Sequence, residues 1–290
     1  MLKALIITMF ISTFLSANEL KNVISNIPEN DLQEIKLLFK DLFNTQGFSY
    51  SLYGDKPLSF SDYSLSSYTS TELLKVLPLD KCCESILEIY SEPSGFLKKR
   101  WKIWQKYKHL FKIKNYLLIE KQYLNQNRIF FINKKYLIKM LDKHIKYFNR
   151  IMKVETNSEA LFKEIAMEGK DIFEITHNNE GILGILLGFG KYNAMLFQER
   201  KALIHSLKMP LKNFNTIKWN LEKINKKLQL LHEHDSYIIA SINRVGFVAD
   251  SNHPETIQLR IKYDELNKKI NEIYSRDDWF EQTLIQLTSD

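Results

Sequence analysis

Apolar residues recur every three or four positions over much of the chain, which is the spacing of one face of an α-helix. Residues 32–43 and 134–152 show this spacing and predict amphipathic helices. Residues 217–231 and 259–273 alternate steps of four and three, which predicts two helices that pack along a narrow seam, against each other or against the body. The pattern therefore predicts a mostly helical chain.

Shorter stretches alternate apolar and polar residues, as half-buried strands do. Residues 48–60 alternate on both sides of the turn at 54–57 and predict a β-hairpin. Residues 115–123 and 127–133 are two β-prone runs with a short polar connection, and they predict a second hairpin. These strands are few and short beside the helices.

Nothing in the sequence divides the chain into parts. No period of 20–50 residues repeats, and no linker rich in Gly, Ser or Pro separates one stretch from another. With 44% hydrophobic residues the chain can bury one large core or two modest ones. We therefore predict an α+β fold, predominantly α-helical, that forms a single compact domain over residues 18–290 with a few short antiparallel strands and hairpins.

The first residues have the order of a secretory signal. Lys3 precedes an apolar run that ends at Leu15, Ser16 and Ala17, with small Ala17 at the cut and Leu15 bulkier than the usual cleavage pattern. The run is shorter than the roughly 20 residues of a spanning helix. We predict that residues 1–17 are a signal peptide, with an uncleaved anchor as the alternative. Since no stable transmembrane segment is expected in the mature chain, the protein would be periplasmic, envelope-associated or secreted.

Cysteine usage points away from a disulfide scaffold. Cys82 and Cys83 are the chain's only cysteines, and they are adjacent. Small domains held by disulfides carry several spaced cysteines. We expect these two thiols to be buried or without a chemical role.

Charge is distributed unevenly along the chain. Residues 98–153 contain 17 Lys and Arg against 2 acidic residues, a net charge of +15, and the rest of the chain has 24 basic and 32 acidic residues, a net charge of −8. Such an excess of positive charge favours an anionic partner, or a second part of the same chain. Exported proteins have little access to nucleic acid, so export favours a lipid surface, an envelope protein or a host protein.

Aromatic and basic residues alternate at the start of this basic segment. Such interleaving can anchor a helix at a lipid interface or stack on nucleic-acid bases. The alternative is a buried aromatic stripe behind a solvated basic face. The candidate residues for binding an anion or a partner are Lys98, Lys99, Arg100, Trp101, Lys102, Trp104 and Lys106.

The stretch at 181–197 contains four glycines within ten positions. Their order matches neither the dinucleotide-binding fingerprint nor the P-loop. Gly184 and Gly188, four positions apart, would allow a neighbouring backbone to approach a helix closely, and Gly188 or Gly190 could end that helix in the left-handed conformation. We predict a tight helix–helix corner, with an anion site at the start of the second helix as the alternative.

No catalytic motif stands out. His232 and His234 could share a metal ion if that stretch were extended, but no third ligand can be named. We expect neither a cofactor nor a metal. The alternative of a hydrolase-type enzyme would use a cleft or turn formed by Asp55, Gly188, Gly190 and Asn193, together with His177 or His205.

Three stretches together resemble a family of uncharacterised exported proteins from bacteria that live inside eukaryotic cells. They contain the motifs GDKPLSF at 54–60, GILLGFGKYNA at 184–194 and GFVADSNHPET at 246–256. The resemblance implies an envelope or host-facing location and no established activity, so no catalytic residue is carried over. The leading hypothesis is a non-enzymatic binding protein of the envelope or the host interface, and the alternatives are the hydrolase and a protein that binds an anionic lipid or nucleic-acid surface.

Overall fold

The computed structural model describes residues 19–61, 84–123, 126–167, 170–207, 214–230 and 248–289. The predicted signal peptide, both cysteines and the pair His232 and His234 lie outside these residues. The helices are α1 (Glu29–Phe39), α2 (Ser49–Leu52), α3 (Glu84–Tyr107), α4 (Lys134–Met152), α5 (Ser158–Ala166), α6 (Ile172–Ile175), α7 (Glu180–Leu186), α8 (Lys191–Leu207), α9 (Phe214–Lys227), α10 (Pro254–Tyr274) and α11 (Trp279–Thr288).

The strands form two small antiparallel sheets. Strands β1 (Leu58–Phe60), β2 (Tyr116–Tyr123) and β3 (Gln126–Asn133) pair in the order β1-β3-β2, and β4 (Leu228–Leu230) pairs with β5 (Val248–Asp250). A π-helical turn at Lys40–Thr45 extends α1, and a 3-10 turn at Lys108–Leu110 extends α3. The predicted α+β, mostly helical fold is confirmed.

Strand β3 separates two hydrophobic cores. Ile129 and Phe131 belong to a core formed mainly with α1, α3 and α11, whereas Phe130 and Ile132 belong to a second core formed with α4, α5 and α7. All four side chains are fully buried. Because both faces of the sheet are covered by helices, β3 has a continuous apolar run instead of an alternating one.

The predicted second hairpin is confirmed. Strands β2 and β3 pair in register from Tyr116 opposite Asn133 to Tyr123 opposite Gln126. Asn133 then ends β3 and caps α4, since its side-chain Oδ1 accepts a hydrogen bond from the Tyr136 amide at 3.3 Å. The sheet and α4 therefore follow each other without a loop.

The predicted hairpin at 48–60 is wrong. Residues Ser49–Leu52 form α2, and β1 pairs with β3. Alternation misled here because the serines of α2 are buried and satisfied: Ser49 Oγ donates to the Phe43 carbonyl at 2.6 Å, and Ser51 Oγ lies 2.8 Å from Ser59 Oγ. A polar residue that is bonded inside the core does not mark a solvent-facing side.

The two helices predicted from their seams pack against the body. On α10, Tyr263 and Ile270 are buried beside Tyr50 of α2 and Ala249 of β5. On α9, Ile224 is 6% exposed and the helix packs on α8. The predicted seam on α9 extends to residue 231, but the helix ends at Lys227 and the chain continues as β4. Of the two alternatives, packing on the body holds for both helices.

Candidate functional site

The tryptophans among the sequence-derived candidates are core residues. Trp101 is 4% exposed and Trp104 is 1% exposed. Trp104 lies edge-on to Phe39 of α1, with ring centroids 5.0 Å apart, and stacks on Phe111 at 5.3 Å. For these two residues the structure follows the alternative of a buried aromatic stripe. Neither ring is available to a base or a lipid.

Carboxylates of α1 neutralise much of the basic face of α3. Glu34 accepts hydrogen bonds from Lys99 Nζ at 2.5 Å and from Arg100 Nε at 3.2 Å. Asp31 accepts from the Tyr107 hydroxyl at 2.6 Å and from Lys106 Nζ at 3.2 Å. The Tyr107 and Lys106 hydrogen bonds lower the pKa of Asp31, and those from Lys99 and Arg100 lower the pKa of Glu34.

These pairs leave little of the predicted basic site open. Among the five candidate cations, Lys98 and Lys102 remain exposed without a carboxylate in an ion pair in the part of the chain that the structure describes. Contact between α3 and α1 therefore accounts for three cations of the basic segment, Lys99, Arg100 and Lys106. For these cations, the anionic partner is a second part of the same chain.

Helix α4 is strongly two-sided. Its apolar seam consists of Leu137, Leu141, Phe148 and Met152, all buried in the second core. Burial of such side chains contributes about 1.5–3 kcal/mol each. The left-handed conformation of Lys153, with φ of 58°, ends the helix. The apolar seam fixes which side of α4 faces solvent.

The solvent side carries a continuous line of cations, named here the α4 stripe. Its first five residues lie within α4 and are spaced by four, four, three and four positions, so at 100° per residue they fall within a narrow sector opposite the seam. With a rise of 1.5 Å per residue these five span about 23 Å, and the sixth residue, Lys153, is the one that ends the helix. The members are Lys135, Lys139, Lys143, Lys146, Arg150 and Lys153, all exposed.

The α4 stripe differs from α3 in its partners. No ion pair among the described residues joins any of the six cations to a carboxylate. Asp142 flanks the stripe and Glu155 follows it, and both are exposed. Arg150 and Lys135 lie over the rings of Tyr147 and Tyr136 at 5.6 and 5.8 Å from the centroids. The stripe is therefore an open line of positive charge.

His144 lies on α4 away from the stripe and is half-buried. Burial lowers its pKa, and the nearby Lys143 and Lys191 lower it further, while Glu255 acts in the opposite direction. A free histidine has a pKa of about 6.5 and is mostly neutral at pH 7. Because the pKa of His144 is lower still, its imidazole is neutral near pH 7. The positive charge of α4 near neutral pH comes from lysine and arginine.

The glycine-rich stretch forms the predicted tight corner between α7 and α8. A Cβ on Gly184 would lie 3.0 Å from the Cβ of Ala194, so the missing side chain allows the two helices to approach. Gly188 and Gly190 have φ of 79° and 83°, in the left-handed region that glycine adopts at low cost. The Tyr263 hydroxyl of α10 donates to the Gly188 carbonyl at 2.9 Å.

The start of α8, considered in the sequence as an anion site, is occupied by the chain's own carboxylate. Glu255 Oε1 accepts from the Lys191 amide at 3.0 Å, and its Oε2 accepts from the Tyr192 amide at 2.7 Å. A Cβ on Gly190 would lie 2.7 Å from Glu255 Cδ. The positive end of the helix dipole is thus neutralised internally.

The cleft candidates also have internal partners. Asn193 is 1% exposed; its Nδ2 donates to Thr256 Oγ1 at 3.0 Å and its Oδ1 accepts from the Asp250 amide at 3.2 Å. Asp55 Oδ1 pairs with Lys262 Nζ at 2.5 Å. Within the described ranges, no hydrogen bond or ion pair brings His177 or His205 to these groups. These contacts favour a structural junction over a hydrolytic site.

The three motifs that carry the family resemblance meet at this junction. A Cβ on Gly188 would contact Pro57 Cδ at 3.3 Å and Lys56 Cγ at 3.4 Å, and Asn193 bridges to Thr256. The described residues of the three motifs, at 54–60, 184–194 and 248–256, therefore share one packing site. Comparison with protein-family models, curated proteins and solved structures finds no match for this chain.

Sequence reasoning missed two features of the surface. The cations of α4 are part of the basic segment 98–153, and their spacing opposite Leu137 and Leu141 separates them from the apolar seam in the sequence itself. Trp219 on α9 is 61% exposed, whereas the tryptophans chosen from the sequence are buried. No helix in the described ranges is both long and apolar enough to cross a membrane.

Proposed function

We propose that this protein is an exported, non-enzymatic binding protein that attaches to an anionic surface through the α4 stripe. The observation that carries the proposal is the line of six exposed cations without carboxylate partners on a helix whose opposite side is locked into the core. A rigid helix holds the cations in line before binding, so little order is lost on contact.

The contrast with α3 supports the same function. In α3, Lys99, Arg100 and Lys106 are paired with carboxylates from α1. If basic residues served only to attract other parts of the chain, the cations of α4 would be paired in the same way. Their exposure leaves them available to an external anion, and export would place that anion in the envelope or on a host surface.

The test compares two triple variants of the full chain on heparin resin, a general polyanionic probe. The variant K139Q/K143Q/K146Q removes three charges from the α4 stripe, and the matched control K98Q/K102Q/K112Q removes three exposed charges at and beyond α3. Each lost contact lowers the salt dependence of binding by roughly one unit in log–log slope. We expect the α4 variant to elute at clearly lower salt than the control.

Equal elution of the two triple variants would overturn the assignment to α4, because general attraction depends on net charge and both variants lose the same charge. Weaker binding by the control than by the α4 variant would assign the surface to α3 instead. Circular dichroism of each variant checks that the helices are retained.

A further inference from the structure

The outer face of α9 combines an exposed tryptophan with lysines. Trp219 is 61% exposed, and the Lys223 ammonium lies 5.3 Å from its ring centroid. Around the helix axis, Lys226 lies about 20° from Trp219, Glu222 about 60° and Lys227 about 80°, and all three are exposed. Trp219 therefore presents a large apolar ring to solvent inside a basic surround.

The opposite face of α9 holds the helix in place. Ile224 is 6% exposed, and Asn225 Oδ1 accepts a hydrogen bond from Arg200 Nε of α8 at 2.7 Å. Because this hydrogen bond and the packing between the two helices hold α9 on α8, the outward position of Trp219 is a property of the packed helix. The other three tryptophans differ from it: Trp101 and Trp104 are buried, and Trp279 is half-buried.

We propose that the outer face of α9 enters the headgroup region of an anionic lipid bilayer, with Trp219 as the interfacial anchor. Tryptophan is enriched at the membrane interface, where its ring meets both the apolar and the polar zone, and lysines around it bind anionic headgroups. The proposal rests on the proposed function and names its partner: the α4 stripe supplies charge attraction, and α9 supplies shallow insertion.

A single-stranded nucleic acid fits this face less well. Such partners stack successive bases on several aromatic rings. On the described outer face of α9, Trp219 is the only aromatic residue, and Lys223 already lies over its ring. A bilayer requires only partial burial of one ring, which this geometry permits.

The test uses the tryptophan fluorescence of the full chain. Vesicles of phosphatidylcholine alone are compared with vesicles that also contain phosphatidylglycerol. We expect the anionic vesicles to shift the emission to shorter wavelength and to protect it from acrylamide, because Trp219 leaves water. The shift should be absent in Trp219→Phe and retained in the matched control Trp279→Phe. Phosphatidylcholine vesicles measure any contribution of the apolar N-terminal residues.

Two results would overturn the inference: anionic vesicles that bind the chain without a shift, or a shift that persists in Trp219→Phe. A single-stranded oligonucleotide that changes Trp219 emission when vesicles do not would assign the face to nucleic acid. The variant K139Q/K143Q/K146Q separates the two proposals, since we expect its affinity for anionic vesicles to fall about 100-fold. An unchanged affinity would contradict the role of the α4 stripe while leaving the Trp219 result to stand alone.

Discussion

Helices α3 and α4 are both rich in lysine, yet their cations have different environments. On α3 the carboxylates of Asp31 and Glu34 take up three of the cations. On α4 the six cations of the stripe have no such partner within the described residues. The comparison shows that the cations of a basic segment can form intramolecular ion pairs on one helix and remain exposed to solvent on the next. Charge counts along a sequence cannot separate the two.

The largest expected effect concerns the aromatic residues of α3. Trp104→Ala should lower the free energy of unfolding by about 3–5 kcal/mol, because it leaves a cavity against Phe39 and Phe111. Trp219→Ala on the exposed face of α9 should change it by less than about 0.5 kcal/mol. Urea denaturation of both variants measures the difference, and equal losses would contradict the division into core and surface tryptophans.

A matched variant keeps this measurement informative. Trp104→Phe retains a ring in the core and removes an indole N–H that has no hydrogen-bond partner in the described structure. We expect its loss of stability to be clearly smaller than that of Trp104→Ala. If Trp104→Phe lowered the free energy of unfolding as much as Trp104→Ala, an aromatic ring that fills the core would not explain the contribution of Trp104.

Removal of the carboxylates on α1 should make α3 resemble α4. The double variant D31N/E34Q frees Lys99, Arg100 and Lys106, so binding to anionic vesicles should rise about fivefold, or roughly 1 kcal/mol, for each of these cations that reaches the surface. The loss of the exposed pairs should cost about 1 kcal/mol of stability or less. Vesicle sedimentation at low and high salt measures the gain, and no gain at low salt would show that α3 faces away from the bound surface.

The smallest expected effect concerns pH. Burial depresses the pKa of His144, so the unfolded chain binds a proton before the folded chain does as the pH falls. Stability conferred by neutral His144 is therefore present above the ordinary histidine pKa and is lost as the pH falls toward the depressed value. We expect His144→Gln to lose less stability than the parent between pH 7 and pH 5 in thermal melts. Equal losses would show that His144 does not contribute.

Much of the helical architecture follows from the sequence because burial and spacing agree. The seam of α4 and the pairing of β2 with β3 are of this kind. The hairpin at 48–60 failed because Ser49 and Ser51 are polar residues bonded inside the core. At the candidate site on α3, both tryptophans are buried and three of the cations are paired with carboxylates. The spacing of residues along a helix does not reveal which other element packs on it, so the sequence could not show this. Contacts such as Glu255 with Lys191, made across 64 positions, leave no local signal.

The two-sided burial of β3 has a consequence for the direction in which the α4 stripe faces. Phe130 and Phe131 are neighbours that belong to different cores, so a slip of β3 by one residue would move each side chain of this strand into the opposite core. Helix α4 starts directly after β3, and one residue of slip would turn its start by about 100°. Packing of β3 in both cores fixes its register, and this register in turn fixes the direction in which the α4 stripe faces.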